Sequence, residues 1–262
     1  MDLGLEGKRA FVGGSSRGLG RAIAEALLRE GATVVLSARG EELLGTAAEL
    51  RQHYGERVLW VRVDLSTKEG VQSAISYVNQ KLGGVDILVN NIGGPPPGAF
   101  PDISELEWKR SFERNFLSFL RLTEGFLTSM VQNGWGRIVN IVSITVREPL
   151  EFLDLSNTMR AAVVAWAKNL ARRYAKYGIT VNNVAPGYIL TQRLRKLLER
   201  EAREKGKPFE EVLEEWRSRV PAGRLGKPEE VGDLVAFLCS ERASYINGVT
   251  ILIDGGLSRC LP

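Results

Sequence analysis

The sequence holds a single histidine, His53, in 262 residues. Histidine-based triads and multi-histidine metal centres are therefore excluded, and no metal is expected. His53 itself lies in a charged, helix-like stretch, Glu41–Tyr54, and reads as a solvated surface residue. There are two cysteines, Cys239 and Cys260, too few for a disulfide scaffold. Both read as thiols of a reduced, cytoplasmic protein. The longest apolar run, Ala161–Ala167, is far too short to span a bilayer, so no membrane partner is expected. Met1–Gly14 shows no basic segment followed by an apolar stretch and a cleavage site. The net charge of +4 comes from 35 basic and 31 acidic residues that are interspersed, which excludes a nucleic-acid surface.

What is present is an ordinary globular composition, 44% hydrophobic and 25% charged. Short β-type runs alternate with helical patterns from end to end. Arg9–Gly13 predicts a first strand and Gly18–Glu30 a helix closed by Gly31. Strands are expected at Thr33–Ser37, Val58–Val63, Val85–Asn90, Arg137–Ser143, Thr180–Ala185 and Val249–Ile253. Helices are expected over Glu41–Tyr54, most of Ser104–Val131, Ser156–Tyr177 and after Pro228. Ser66 with Glu69 predicts a capping box for a helix to about Leu82, and Ser104 with Glu107 repeats it. The strands are nearly continuously apolar, as strands buried on both faces of a parallel sheet must be. The expectation is α/β: one Rossmann-type, doubly wound parallel sheet of about seven strands, spanning residues 1–262 as one domain. Arg193–Arg219 breaks the rhythm. It is densely charged, with leucines, Phe209, Val212, Leu213 and Trp216 at helical spacing, and predicts a helix pair. Such a pair either covers the core or, with flanking residues from about 190 to 222, forms a mobile lid over a substrate pocket.

The chemistry begins after the first strand. There, Gly13-Gly14-Ser15-Ser16-Arg17-Gly18-Leu19-Gly20 leads directly into a helix. Glycines allow a tight turn and close approach to a pyrophosphate, and the helix N-terminus offers free N–H groups to it. The spacing is GxxxGxG, not GxGxxG, and the Lys-Ser/Thr ending of an NTP-binding P-loop is absent. A dinucleotide is the indicated ligand, held by Gly14, Ser16, Arg17, Gly18, Leu19 and Gly20. At the end of the second strand an NAD binder would place an acid against the ribose 2′-hydroxyl. This chain has Ala38-Arg39 there. A guanidinium suits a 2′-phosphate, so NADP(H) is favoured over NAD(H), with Glu41 and Glu42 as countervailing charges nearby.

With these residues in place, the chain resembles the short-chain dehydrogenase/reductase family over nearly its whole length, in the manner of the 3-oxoacyl-[acyl-carrier-protein] reductases. Gly14, Gly18 and Gly20 fit its glycine pattern, though Gly13 stands where the family has Thr and a hydroxyl contact is lost. Asp64-Leu65 resembles the family's adenine-binding pair, and Asn90-Asn91-Ile92-Gly93 its NNAG motif. Asn115 and Ser143 fall where the family has its catalytic asparagine and serine. Pro186, Gly187, Ile189 and Thr191 match the segment that packs on nicotinamide. Arg224–Glu230 and Asp254-Gly255-Gly256 match its C-terminal signatures. The resemblance implies a carbonyl–alcohol oxidoreductase acting on a small molecule, and a homotetramer or homodimer.

The family's Tyr-x-x-x-Lys is missing. Its place reads Ser156-Asn157-Thr158-Met159-Arg160, so Ser156 stands for the tyrosine and Arg160 for the lysine. The one literal match, Tyr77–Lys81, falls in an earlier helix and reads as coincidence. A serine hydroxyl is a poor acid at neutral pH, and an arginine stays protonated, so neither does the ordinary job. Two readings follow. Either the protein is an active oxidoreductase in which Ser143, Ser156 and Arg160 polarise the carbonyl and the proton comes from water, Tyr188, Asp154 or Glu151. Or it binds cofactor without turnover, as a sensor or interaction partner. Gly93–Gly98 (GGPPPG) stiffens a loop at the ligand edge of the sheet, and the apolar residues of the helix pair suggest a partly apolar substrate.

Overall fold

The first strand, β1 (Arg9–Val12), lies near the middle of the sheet in the computed structural model, which describes residues 2–261. β2 (Thr33–Ala38) and β3 (Val58–Arg62) follow on one side. β4 (Ile87–Asn90), β5 (Gly136–Ile141), β6 (Ile179–Pro186) and β7 (Thr250–Ile253) extend the other. The order is β3-β2-β1-β4-β5-β6-β7 and every pairing is parallel. The expected seven-stranded, doubly wound sheet is what forms. The order reverses between β1 and β4, and ligands of such sheets bind at the C-terminal ends of the strands there.

The intervening helices are α1 (Gly18–Arg29), α2 (Glu42–Tyr54), α3 (Lys68–Leu82), α4 (Glu105–Phe112), α5 (Ser118–Asn133), α6 (Asp154–Tyr174), α7 (Gln192–Lys205), α8 (Phe209–Ser218) and α9 (Pro228–Leu238). Alternate residues of each strand serve different faces. Ala10 and Val12 pack with Ile23, Leu27, Leu50 and Val235 from α1, α2 and α9. Phe11, between them, packs with Val78, Leu122, Phe126 and Ala171 from α3, α5 and α6. Both faces are therefore buried, which is why the strands carry no polar alternation. Burying Phe11 and Phe126, whose ring centroids are 5.5 Å apart, contributes roughly 1.5–3 kcal/mol each. α1 and α9 cross closely: a Cβ on Gly232 would lie 2.7 Å from the Ala22 carbonyl oxygen, so this contact requires glycine.

One buried row is polar. Asn90 Nδ2 donates to Asn140 Oδ1 (2.9 Å), Asn140 Nδ2 to Asn183 Oδ1 (2.9 Å), and Asn183 Nδ2 to Thr250 Oγ1 (3.1 Å). These residues are register partners across β4, β5, β6 and β7. The chain of amide bonds makes three buried asparagines tolerable under the ligand edge, and Asn90 Oδ1 at its end is left without a partner among the described residues.

Two expected features differ. Thr67, not Ser66, caps α3, its Oγ1 accepting from Gly70 N at 3.0 Å. Ser66 lies one residue ahead of the cap, because α3 starts at Lys68, and donates its hydroxyl to Asp64 Oδ1 at 2.7 Å. Ser104 caps α4 as expected, accepting from Glu107 N at 3.2 Å. The helical stretch beyond it is interrupted, however, by a wide π-type turn at Glu113–Leu117 that carries Asn115. Such turns are rare inside helices and collect at functional sites.

Candidate active site

The glycine turn is held from three sides. Gly14 and Gly18 have φ of +56° and +57°, which only glycine adopts without strain. A Cβ on Gly20 would lie 2.3 Å from the Gly14 oxygen, and one on Gly13 would lie 2.4 Å from the Asn91 oxygen. The family's threonine would thus not fit at Gly13 with the Asn91 backbone where it stands. Asn91 Nδ2 donates to the Gly13 oxygen at 2.9 Å and ties the turn to the end of β4. Ser15, which sequence reasoning passed over, is fully buried. Its hydroxyl donates to the Val12 oxygen (2.9 Å) and accepts from Ser37 N (2.8 Å), locking the turn to β2. The Ser16 oxygen accepts from Thr46 Oγ1 at 2.7 Å. Leu19 packs against the core beneath. Arg17 opens α1 in an extended conformation with no side chain capping the helix, so the first amides face outward for a diphosphate.

Arg17 and Arg39, the residues expected at a ribose phosphate, are both exposed. Arg17 Nη1 meets both oxygens of Glu42 at 2.9 Å, and Arg39 Nη1 lies 3.7 Å from Asp64 Oδ2. Glu41 is drawn to Arg62 at 3.2 Å, away from the site. Burial alone would raise the Asp64 pKa. Hydrogen bonds from Ser66 and the charges of Arg39 and Arg114 outweigh it and hold the carboxyl below its usual value. Leu65 is buried beside it. A phosphorylated dinucleotide fits this cradle: free helix amides for the diphosphate, glycine contacts too close for any Cβ, and two exposed arginines at the ribose end.

The other half of the site is built by β5, α6 and the wide turn. Asn115 is fully buried; its Nδ2 donates to the Gly93 oxygen at 3.1 Å and its Oδ1 has no partner among the described residues. Ser143, just past β5, is half-buried and its Oγ accepts from Thr145 N at 3.2 Å. Ser156 and Arg160 lie one turn apart on α6. Ser156 is half-buried. Arg160 Nη1 donates to the Ile141 oxygen (2.7 Å) and Nη2 to the Ile92 oxygen (3.2 Å). Arg160 and Asn115 thus grip adjacent carbonyls, Ile92 and Gly93. Burial, and then the charge of Arg193, push the Arg160 pKa down to about 10. Its guanidinium also lies 5.7 Å from the Phe119 ring centroid.

The segment expected to seat the nicotinamide follows β6. Pro186 ends the strand, and Gly187 N donates to the Ile253 oxygen at 3.0 Å. Ile189 is buried in the core and bridges to Gly226. Thr191 caps α7, its Oγ1 accepting from Leu194 N at 3.2 Å, and its methyl sits 3.7 Å from where a Gly18 Cβ would be. The segment after β6 therefore abuts the glycine turn.

The other proton-donor candidates have different positions. Tyr188 stacks on Trp216, centroids 4.6 Å apart, within the apolar cluster of α7 and α8. Asp154 Oδ2 accepts from Phe100 N at 2.9 Å and clamps the proline-rich loop to α6. Glu151 is exposed. Tyr77 packs on the core under α3, and Lys81 on the same helix is exposed. Two residues escaped sequence reasoning altogether. Arg193 Nη2 donates to the Pro95 oxygen (3.4 Å), and Arg114 lies next to Asn115 with its charge felt by both Asp64 and Arg193.

A family model described as Enoyl-(Acyl carrier protein) reductase matches residues 14–258. The chain belongs to the short-chain dehydrogenase/reductase family. It is 36% identical to the 3-oxoacyl-[acyl-carrier-protein] reductase FabG of Aquifex aeolicus (strain VF5), over 98% of this chain and 100% of that protein. Among solved structures it is similar to the L-sorbose reductase from Gluconobacter frateurii complexed with NADPH and L-sorbose, at a TM-score of 0.96 and 36% identity, covering 100% of both chains. It is also similar to YwfH, described as an NADPH dependent reductase involved in bacilysin biosynthesis, at a TM-score of 0.93 and 30% identity, covering 98% of this chain and 100% of that one.

Proposed function

We propose that this short-chain dehydrogenase/reductase is an NADP(H)-dependent oxidoreductase that interconverts a carbonyl and an alcohol, with Arg160 as the cation that stabilises the oxygen. The observation that carries the cofactor preference is Arg39, directly after β2, where an acid would select NAD(H). Full-length relatives that are reductases, two of the structural ones described with NADPH, support it. A cofactor binder without turnover is not favoured by these relatives.

When bound, the cofactor supplies or accepts the hydride. The chain's residues do the rest. Gly14, Ser16, Arg17, Gly18, Leu19 and Gly20 hold the diphosphate end, Arg39 and Arg17 the 2′-phosphate, and Asp64, Leu65, Asn91 and Gly93 the adenine side. Pro186, Gly187, Ile189 and Thr191 seat the nicotinamide. Ser143 and Ser156 donate hydrogen bonds to the carbonyl oxygen. Arg160, buried where the dielectric is low, stabilises negative charge developing on that oxygen. The proton that completes the alcohol comes from water, because Tyr188 is packed in the α7–α8 cluster and Asp154 is spent on the loop. Asn115 positions the Gly93 segment.

The α7–α8 pair, residues about 190–222, is read as a lid. It has its own small core (Leu198, Val212, Leu213) and is stapled by Lys205 and Lys207 on Glu215 at 3.0 and 2.5 Å. A groove of about 320 Å³ between α5 and α6, lined by Leu127, Trp166, Leu170 and Tyr174 among others, supports self-association into a homodimer or homotetramer through these helices. The free thiols of Cys239 and Cys260 support a cytoplasmic setting. Among the described residues no helix is long and apolar enough to cross a membrane. The test of the reading is NADPH oxidation with a panel of ketones and aldehydes. Turnover lost in Arg160→Ala but retained in Ser156→Ala would assign the working group to arginine; turnover untouched by both would remove the assignment.

A further inference from the structure

Arg160 and Arg193 approach one short stretch of chain from two different elements. Arg160 comes from α6 and donates to the Ile92 oxygen; Arg193 comes from α7 and donates to the Pro95 oxygen. Gly94 lies between, and a Cβ added there would stand 3.1 Å from Arg193 Nη1. The Arg193 residue as a whole is exposed, but its guanidinium lies against this loop in the cleft. Among the described residues neither guanidinium meets a carboxylate. The neighbouring charge felt by Arg160 is Arg193, and that felt by Arg193 is Arg114.

This is an unusual arrangement. Arg160 is only 5% exposed, and buried cations are ordinarily paired with an acid. Here carbonyl dipoles satisfy the N–H groups and leave the charge uncompensated. Arg17 and Arg39 are by contrast each matched with an acid, Glu42 and Asp64. The cofactor's own anionic groups have separate receptors: the α1 amides for the diphosphate, Arg17 and Arg39 for the 2′-phosphate. The Arg160–Arg193 pair is left over at the end of β5, where Arg160 holds the Ile141 oxygen two residues before Ser143, with one cation buried and the other at the start of α7.

We propose that Arg193, backed by Arg160, forms an anion subsite beside the reacting carbonyl, so that the preferred substrates are oxo acids whose carboxylate lies near the carbonyl. The inference rests on the reductase reading above and names its substrate class. Arg193 binds the carboxylate directly, with a planar fork suited to two parallel hydrogen bonds. Arg160 stays on its two carbonyls and adds charge from behind.

The test uses matched pairs, 2-, 3- and 4-oxo acids against their methyl esters, with wild type, Arg193→Ala and Arg193→Lys. On the same samples, NADPH affinity is measured by fluorescence quenching and malonate is titrated calorimetrically onto enzyme loaded with NADP⁺. The expected result is a preference for acid over ester of at least about tenfold in kcat/KM, since charge-assisted hydrogen bonds contribute about 1.5–3 kcal/mol. That ratio falls toward one in Arg193→Ala and is partly kept in Arg193→Lys. Malonate binding weakens about as much, and NADPH affinity changes little. A wild-type ratio near one overturns the proposal. So does an Arg193→Ala variant that loses NADPH affinity while malonate still binds, because the arginine then serves the cofactor's diphosphate. Malonate bound through Arg193 with no turnover of any acid or ester keeps the subsite and defeats the reductase reading. Turnover of esters without malonate binding does the reverse.

Discussion

The Arg160 guanidinium donates to the Ile141 oxygen at 2.7 Å, from a position only 5% exposed and without a carboxylate partner. The residue thus stores positive charge at the end of β5, on the carbonyl two residues before Ser143. In the folded state its pKa is lowered to about 10, first by burial and then by Arg193. A cation whose folded pKa is depressed costs stability while it is protonated, and that cost fades as pH rises through the folded value. If the charge works on the carbonyl oxygen, reduction loses rate as pH rises through about 10. Arg160→Lys should move this alkaline limit to lower pH, because an amine starts from a lower pKa and burial lowers it further. A pH profile of kcat/KM for both proteins checks this; coincident profiles would separate Arg160 from the chemistry.

Glu42 competes with the cofactor for Arg17. The pair is exposed, so breaking it is worth only about 0.2–1 kcal/mol. Glu42→Gln should therefore tighten NADPH binding by a few-fold and leave NADH binding nearly unchanged. Arg39→Ala should weaken NADPH binding by roughly ten- to a hundredfold, the loss of one charge-assisted contact. Fluorescence titration with both cofactors reads the two effects. An equal gain for NADH in Glu42→Gln would mean that Glu42 acts on something other than the 2′-phosphate.

Gly20→Ala places a methyl group 2.3 Å from the Gly14 oxygen, a backbone atom that cannot swing away. The turn must open, and the Asn91 amide 2.8 Å from the same position must move with it. Dinucleotide binding should be lost along with about 1–3 kcal/mol of stability, the cost of forced overpacking. Thermal unfolding with and without NADPH checks this: cofactor raises the wild-type midpoint and leaves the variant's unchanged.

Asp154 fixes the loop from Gly93 to Phe100 by accepting from Phe100 N at 2.9 Å. Asp154→Asn keeps the size and removes the charge. If the aspartate were the proton donor, kcat would collapse and its pH profile would change shape. The expected result is a higher KM with kcat within a few-fold, because only loop positioning suffers. Steady-state kinetics separate these outcomes.

The fold was legible because its strands are apolar runs of fixed length between turn residues, and because the glycine turn lies between a strand and a helix. Ser156 and Arg160 could be located because they stand where the family resemblance puts its Tyr-x-x-x-Lys, and a helix keeps i and i+4 on one face. What escaped was set by approach across the chain. The pairing of Asn90, Asn140 and Asn183 depends on strand register, which no local pattern displays. Arg193 looks like any surface residue of a charged helix until α7 folds over Pro95. Ser66 has the spacing of a cap to Glu69, but the helix starts one residue later, at Lys68, and Thr67 caps it. The lack of room at Gly13 depends on the Asn91 backbone, which lies 2.4 Å from the position of a Cβ.

A working reductase must transfer hydride at this site although serine and arginine stand where tyrosine and lysine are expected. The direct measurement is label transfer: NADPH deuterated on the reactive carbon is incubated with the enzyme and the oxo-acid and ester panel, and the product alcohols are analysed by mass spectrometry. The expected result is one deuterium on the carbinol carbon, abolished in Arg160→Ala. An enzyme that binds NADPH in the same samples yet gives no labelled alcohol from any carbonyl would contradict it.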